Sequence, residues 1–316
     1  MKNKNRALLM FLPVTVLTLL AIVLRTIACF GELDVATGYF KNPALYTASG
    51  IIIVLISAVL LVSLALKSEP QHLRPTFRGA LTYVPSGLVA ISLLFVIIDM
   101  LSYISDGLGA IFTSAVFTNP AYLTALLTAL LAIAAIAYFA LSVFISPSRN
   151  LLRAELGILA SLSFAMLAAF LFFQPELQIN HPAKVLDEMT FLALAIFFMQ
   201  ETRISLSREN WKHYFVFGAI ASVLTAYSSI PALVYYAFSG NIISENLPRT
   251  LLAFSLLIFT VSRLIVATRL DEDKPSGFAL AIDTPATEET TADGEEDDSP
   301  QISIEDINEN EGDGEE

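Results

Sequence analysis

The sequence predicts an all-α integral membrane protein: a polytopic bundle of about eight transmembrane helices with short loops and a disordered acidic C-terminal tail. Three observations carry this. Hydrophobic residues make up 55% of the 316-residue chain and charged residues only 15%, where a soluble domain carries about a quarter charged. Long apolar segments recur from Leu8 to Leu270, and 18 of the last 46 residues are acidic.

A helix rises about 1.5 Å per residue, so about 20 apolar residues cross a hydrocarbon layer about 30 Å thick. The first such segment is 8–27, entered from Lys2, Lys4 and Arg6. A cleaved leader shares that basic start, but the run 8–24 is longer than a signal core and is closed by Arg25; Cys29 also lacks the upstream leucine of a lipidation site. It is read as a retained first span. The second span is 46–66, and the third is 81–103, with Pro85, Ser86 and Gly87 near its start. In the fourth, 122–145, the pairs Ala125/Ala129 and Thr124/Thr128 permit close helix approach. The fifth is 151–173 and the sixth 185–200. The seventh, 214–238, has the small pair Gly218/Ser222 and a polar, potentially kinked middle of Thr225, Tyr227, Ser228, Ser229 and Pro231. The eighth is 247–267, and the division into a membrane domain and a tail falls at 1–270 and 271–316.

An even number of crossings puts both termini on one side, and basic residues choose which. With the N-terminus in the cytosol, 14 Lys and Arg fall on the cytosolic side and four (Arg25, Lys41, Lys184, Arg249) on the other. The expected location is therefore the cell membrane, multi-pass, with cytosolic termini. Charge is divided as sharply. The tail carries 18 acids against Lys274, a net of −17, while 1–270 is +5. Such a balance excludes nucleic acid as an expected partner and suits a bilayer with anionic lipid at the cytosolic face. The stretch 284–316 is too poor in apolar side chains to offset the entropy of ordering its backbone. Within it, the alternating segment 301–307 could dock on a basic cytosolic protein.

Ionisable residues within the spans define the candidate site. Asp187 and Glu188 begin the sixth span and Glu201 ends its apolar run, leaving 189–200, roughly 18 Å of helix, between them. The eighth span repeats the geometry with opposite charge, Arg249 and Arg263. Each pair is 14 residues apart, just under four turns, so both charges share a face. Parallel neighbours would pair Asp187 with Arg249 and Glu201 with Arg263. A third pairing joins Arg25 to Asp99, late in the first and third spans. With Glu32, Asp34, Tyr39, Lys41, Asp106 and Glu188 these residues would form an external polar rim. Structural ion pairing competes with a solute or ion route as their role.

No catalytic motif accompanies them. The three histidines, His72, His181 and His213, are divided between the two sides, and HExxH, GxSxG, phosphate-loop and dinucleotide patterns do not occur. No cofactor is implied, and one cysteine allows no internal disulfide. Two functional readings lead: a small-solute or ion transporter using the charged rim and interrupted seventh span, or a non-enzymatic scaffold or regulatory partner whose tail recruits a cytosolic protein; a membrane enzyme ranks third, since carboxylates and histidines are present without catalytic spacing.

Overall fold

The computed structural model describes residues 2–34, 37–65, 80–109, 114–144, 151–175, 181–206, 210–240 and 246–268, all within the compact unit Met1–Asp271. The expected tail, 271–316, lies outside the described residues. Nine helices are described: α1 (Lys2–Glu32), α2 (Ala44–Ser63), α3 (Ala80–Leu108), the short α4 (Ser114–Thr118), α5 (Pro120–Phe144), α6 (Leu151–Phe173), α7 (Pro182–Ser205), α8 (Trp211–Ser239) and α9 (Leu247–Thr268). Each expected span falls on a helix, although the second, expected over 46–66, is helical only to Ser63. The sixth is longer than its apolar run, and α4 carried no hydropathy that would announce it.

Seven of these helices are long and apolar enough to cross a membrane. The other long one, α7, has 24 residues but includes Lys184, Asp187, Glu188, Glu201 and Arg203. Its exposed side chains Val185, Met189, Leu192, Ile196 and Met199 recur three or four apart, whereas Phe191, Leu194, Phe198 and Glu201 are buried. That gives α7 an apolar stripe suited to lipid on one face, with Lys184 and Glu201 buried, Asp187 and Glu188 half-buried and Arg203 exposed near its end.

Six helices form a closed ring. α3 packs on α5, α5 on α6, α6 on α7, α7 on α8, α8 on α9, and α9 back on α3. Small residues bring the backbones together. On α5, Ala125, Ala129, Ala132 and Ala135 are buried along one face, and a Cβ on Gly157 of α6 would lie 2.7 Å from Thr202 Oγ1 of α7. Ser86 of α3, beside Pro85, shares a 2.9 Å hydrogen bond with Ser142 of α5. The middle of the ring is filled by Phe139, Phe164, Phe198 and Phe259, from α5, α6, α7 and α9, with ring centroids 5.1 to 5.6 Å apart. Such pairs add about 0.5–1.5 kcal/mol each beyond their buried area.

α1 and α2 stand outside this ring, packed on each other and on α8. Lys212, at the start of α8, donates to the Leu64 carbonyl at 2.7 Å and so ties down the end of α2, where carbonyls lack helical partners. After α1 the chain turns through an isolated bridge, Leu33 to Phe40, and Gly38 adopts φ +71°. A Cβ there would overlap His181 Nε2, and Tyr39 sits 5.3 Å from the His181 ring, so the turn rests on the residue that precedes α7.

Candidate functional site

Two groups of polar side chains occupy opposite ends of the ring, designated upper where α7 and α9 begin and lower where they finish. At the upper end Asp187, one and a half turns into α7, accepts a hydrogen bond from Ser228 Oγ of α8 at 2.6 Å. Arg249, in the first turn of α9, donates through Nη1 to Gln174 Oε1, just past the end of α6, at 3.2 Å. Its own backbone N–H is capped by Asn246 Oδ1 at 3.0 Å, and Asn246 Nδ2 donates to Asp99 Oδ2 of α3 at 2.6 Å. The chain of contacts from Asp99 to Gln174 thereby links elements that are not neighbours around the ring. Arg249, Arg25 and His181 lie within electrostatic reach of Asp187.

This arrangement corrects two expected pairings. Asp187 and Arg249 are near one another, but among the described residues they form no direct salt bridge: Ser228 engages one and Gln174 engages the other. Arg25 does not reach Asp99. It donates to the Tyr227 carbonyl of α8 and lies over the Tyr227 ring, 4.7 Å from its centroid, while Asp99 takes Asn246. The cause is Pro231. Four residues after Tyr227, it has no N–H to give that carbonyl, which is left for the guanidinium. Tyr227 OH in turn shares a 2.7 Å hydrogen bond with Ser49 of α2.

The expected rim also divides. Glu32 closes α1, and Asp34, Tyr39 and Lys41 belong to the turn after it, where the Lys41 N–H donates to the Glu32 carbonyl at 2.7 Å and the Asp34 N–H to the Tyr39 carbonyl at 2.8 Å. Asp106 is exposed near the end of α3, and Glu188 is half-buried beside Asp187. Lys184 donates to the Phe172 and Gln174 carbonyls at 3.1 and 2.9 Å, placing its charge at the C-terminal end of α6, which favours a cation.

At the lower end the expected Glu201–Arg263 contact is formed, with Nε 3.4 Å from Oε1 and each side chain 1% exposed. Tyr214 OH of α8 donates to the same Oε1 at 3.0 Å. Arg153, near the start of α6 and also 1% exposed, lies over the Tyr138 ring at 5.6 Å, and Arg263 lies over Phe259 at 5.0 Å. Glu201, Arg153 and Arg263 all act electrostatically at the Tyr138 hydroxyl. Two guanidiniums, a carboxylate and two phenols thus meet inside the ring. In the sequence Arg153 counts only as a charge near a loop; its position in the third residue of a helix is what turns it inward. Gln174, Asn246, Tyr138 and Tyr214 carry no sequence motif that singles them out.

Among the described residues, no group of three or more His, Cys, Asp or Glu side chains is arranged to hold a metal ion. Comparison with protein-family models, curated proteins and solved structures finds no match.

Proposed function

We propose that this multi-pass helical membrane protein is a small-solute or ion transporter whose path is the interior of the six-helix ring. One observation supports this above all: charged side chains turn inward at both ends of the ring, and the Phe139, Phe164, Phe198 and Phe259 partition lies between them. A charge near the middle of a bilayer costs about 2.5–3.5 kcal/mol on insertion scales, so inward-facing charges with polar partners at both ends support the reading of a polar path through the ring. In the orientation favoured by the basic loops, the upper end is external and the lower end cytosolic.

Flux through proteoliposomes containing the full chain tests the reading. Asp187→Ala or Arg249→Ala is expected to abolish movement of the cargo while leaving the amount of folded protein near that of the parent. A parallel collapse of flux and folded protein would make these charges packing devices instead. The scaffold role depends on 284–316, which lies outside the described residues, and no feature of the ring favours it.

A further inference from the structure

We propose that the last two turns of α8, residues 232–239, form a flap at the upper end that swings about Pro231 and is latched shut by Arg25. The inference concerns a motion of the fold; it goes beyond the transport reading and does not depend on it. Pro231 removes one backbone hydrogen bond from α8 and sets its ring against the Tyr227 carbonyl, so the helix bends most readily there. Packing changes at the same point. Below it, Tyr214, Ile220 and Ala221 belong to the core of the ring, and Val223 and Tyr227 pack with Ala21 of α1 and Ile53 of α2. Polar contacts fasten that stretch as well, Tyr227 to Ser49 of α2 and Ser228 to Asp187 of α7. Above it, the buried side chains Ala232 and Tyr235 pack with Cys29 of α1 and with Leu33 and Phe40 of the turn, in a cluster separate from the ring core. The Phe30 ring lies 5.3 Å from that of Tyr235 and 6.2 Å from that of Phe238.

Arg25 sits just beneath this seam. From α1 it donates to the carbonyl that Pro231 leaves without an amide donor, and its guanidinium lies over the Tyr227 ring. It thereby satisfies the break in α8 and pins α1 against α8 at the level of the bend. Cys29 stands four residues later on α1, one turn higher on the same face, where Ala232 and Tyr235 cover it. Arg25 is buried, so letting go of the carbonyl strands a desolvated donor and acceptor together, which favours the closed arrangement. A cluster of three buried side chains parts at far lower cost than the ring core, so the seam opens locally while the ring stays folded. Tyr236 and Phe238 of the flap are exposed, and aromatic side chains suit the membrane interface through which such a segment moves.

Cys29, the chain's single cysteine, is 1% exposed beneath the flap and reports the motion without any cargo. The full chain in proteoliposomes is treated with N-ethylmaleimide, and each native labelling rate is scaled to that of the same protein unfolded in SDS. Parent protein is expected to label slowly but to completion. Arg25→Ala should label about fivefold faster, and Pro231→Ala, which returns an amide to α8, about fivefold slower. Phe198→Ala loosens the ring core away from the seam and should label at the parental rate, because the opening is local. Parent protein that stays unlabelled overturns the flap, as does a Pro231→Ala rate that is unchanged or raised. Equal acceleration in Arg25→Ala and Phe198→Ala overturns it too, since Cys29 is then reached only through general loosening. If Arg25→Ala yields no folded protein, the comparison of parent with Pro231→Ala decides alone.

Discussion

The Glu201–Arg263 pair offers a quantitative test of the ring. Both side chains are 1% exposed and meet at 3.4 Å, where an effective dielectric of about 20 gives an attraction of about 5 kcal/mol. Breaking such a buried pair by removing one partner costs roughly 3–5 kcal/mol, whereas replacing both partners by neutral groups costs far less. Glu201→Gln removes the charge but keeps an acceptor for the Tyr214 hydroxyl, so its cost is chiefly electrostatic. It should lower stability by about 3–4 kcal/mol. Arg263→Gln should cost less, because Arg153 still acts within the same cluster while Glu201 is the carboxylate shared there. The double variant should lose only about 1–3 kcal/mol, leaving a coupling energy near 3 kcal/mol. Unfolding in mixed micelles of rising SDS content measures all four proteins. The chain's single tryptophan, Trp211, stacked edge-on against Tyr214 at 5.6 Å, reports on the right place. Losses that add to within about 0.5 kcal/mol in the double variant would refute the pair as an interacting unit.

The other predictions concern single contacts. Phe198→Ala removes the ring that touches Phe139, Phe164 and Phe259, so it should cost about 3–5 kcal/mol and make liposomes leak small ions; a tight membrane would argue against the partition. Gly38→Ala places a Cβ on His181 at φ +71° and should cost about 1–3 kcal/mol, seen as faster amide exchange in the 33–40 turn; unchanged exchange contradicts the close approach. Arg25→Ala strands the Tyr227 carbonyl and should cost about 1–3 kcal/mol. Adding Pro231→Ala restores an amide able to bond that carbonyl, so the double variant should recover part of the loss; equal melting of the single and double variants would sever the link between proline and arginine.

Helix placement was legible because hydropathy is a local property: the fifth span, 151–173, coincides with α6, and the eighth, 247–267, stops one residue short of the end of α9. The shared face of Asp187 and Glu201 was legible too, since 14 residues nearly complete four turns whatever surrounds the helix. Partner choice was not. Depth alone matched Arg25 with Asp99, yet α1 packs on α8 while α3 closes the ring against α9. Pro231 could be read as a kink, but its more consequential effect, a carbonyl released toward α1, depends on which helix stands beside it. The direct contact expected between Asp187 and Arg249 failed for a similar reason: Ser228, legible only as part of a polar stretch in the seventh span, and Gln174, which nothing in the sequence singles out, engage the two charges instead.

The closure of the ring by α3 and α9 bears on how the protein is made. Helices leave the ribosome in order, so α3 is in the bilayer long before α9 is synthesised, and Asp99 is separated from Asn246 by 147 positions. Arg25 precedes its Tyr227 acceptor by 202. During translation Arg25 therefore lacks its acceptor until α8 is made, and Asp99 lacks Asn246 until the chain reaches the start of α9. A nascent chain halted before residue 247 lacks α9 and with it the contacts that close the ring between α8 and α3.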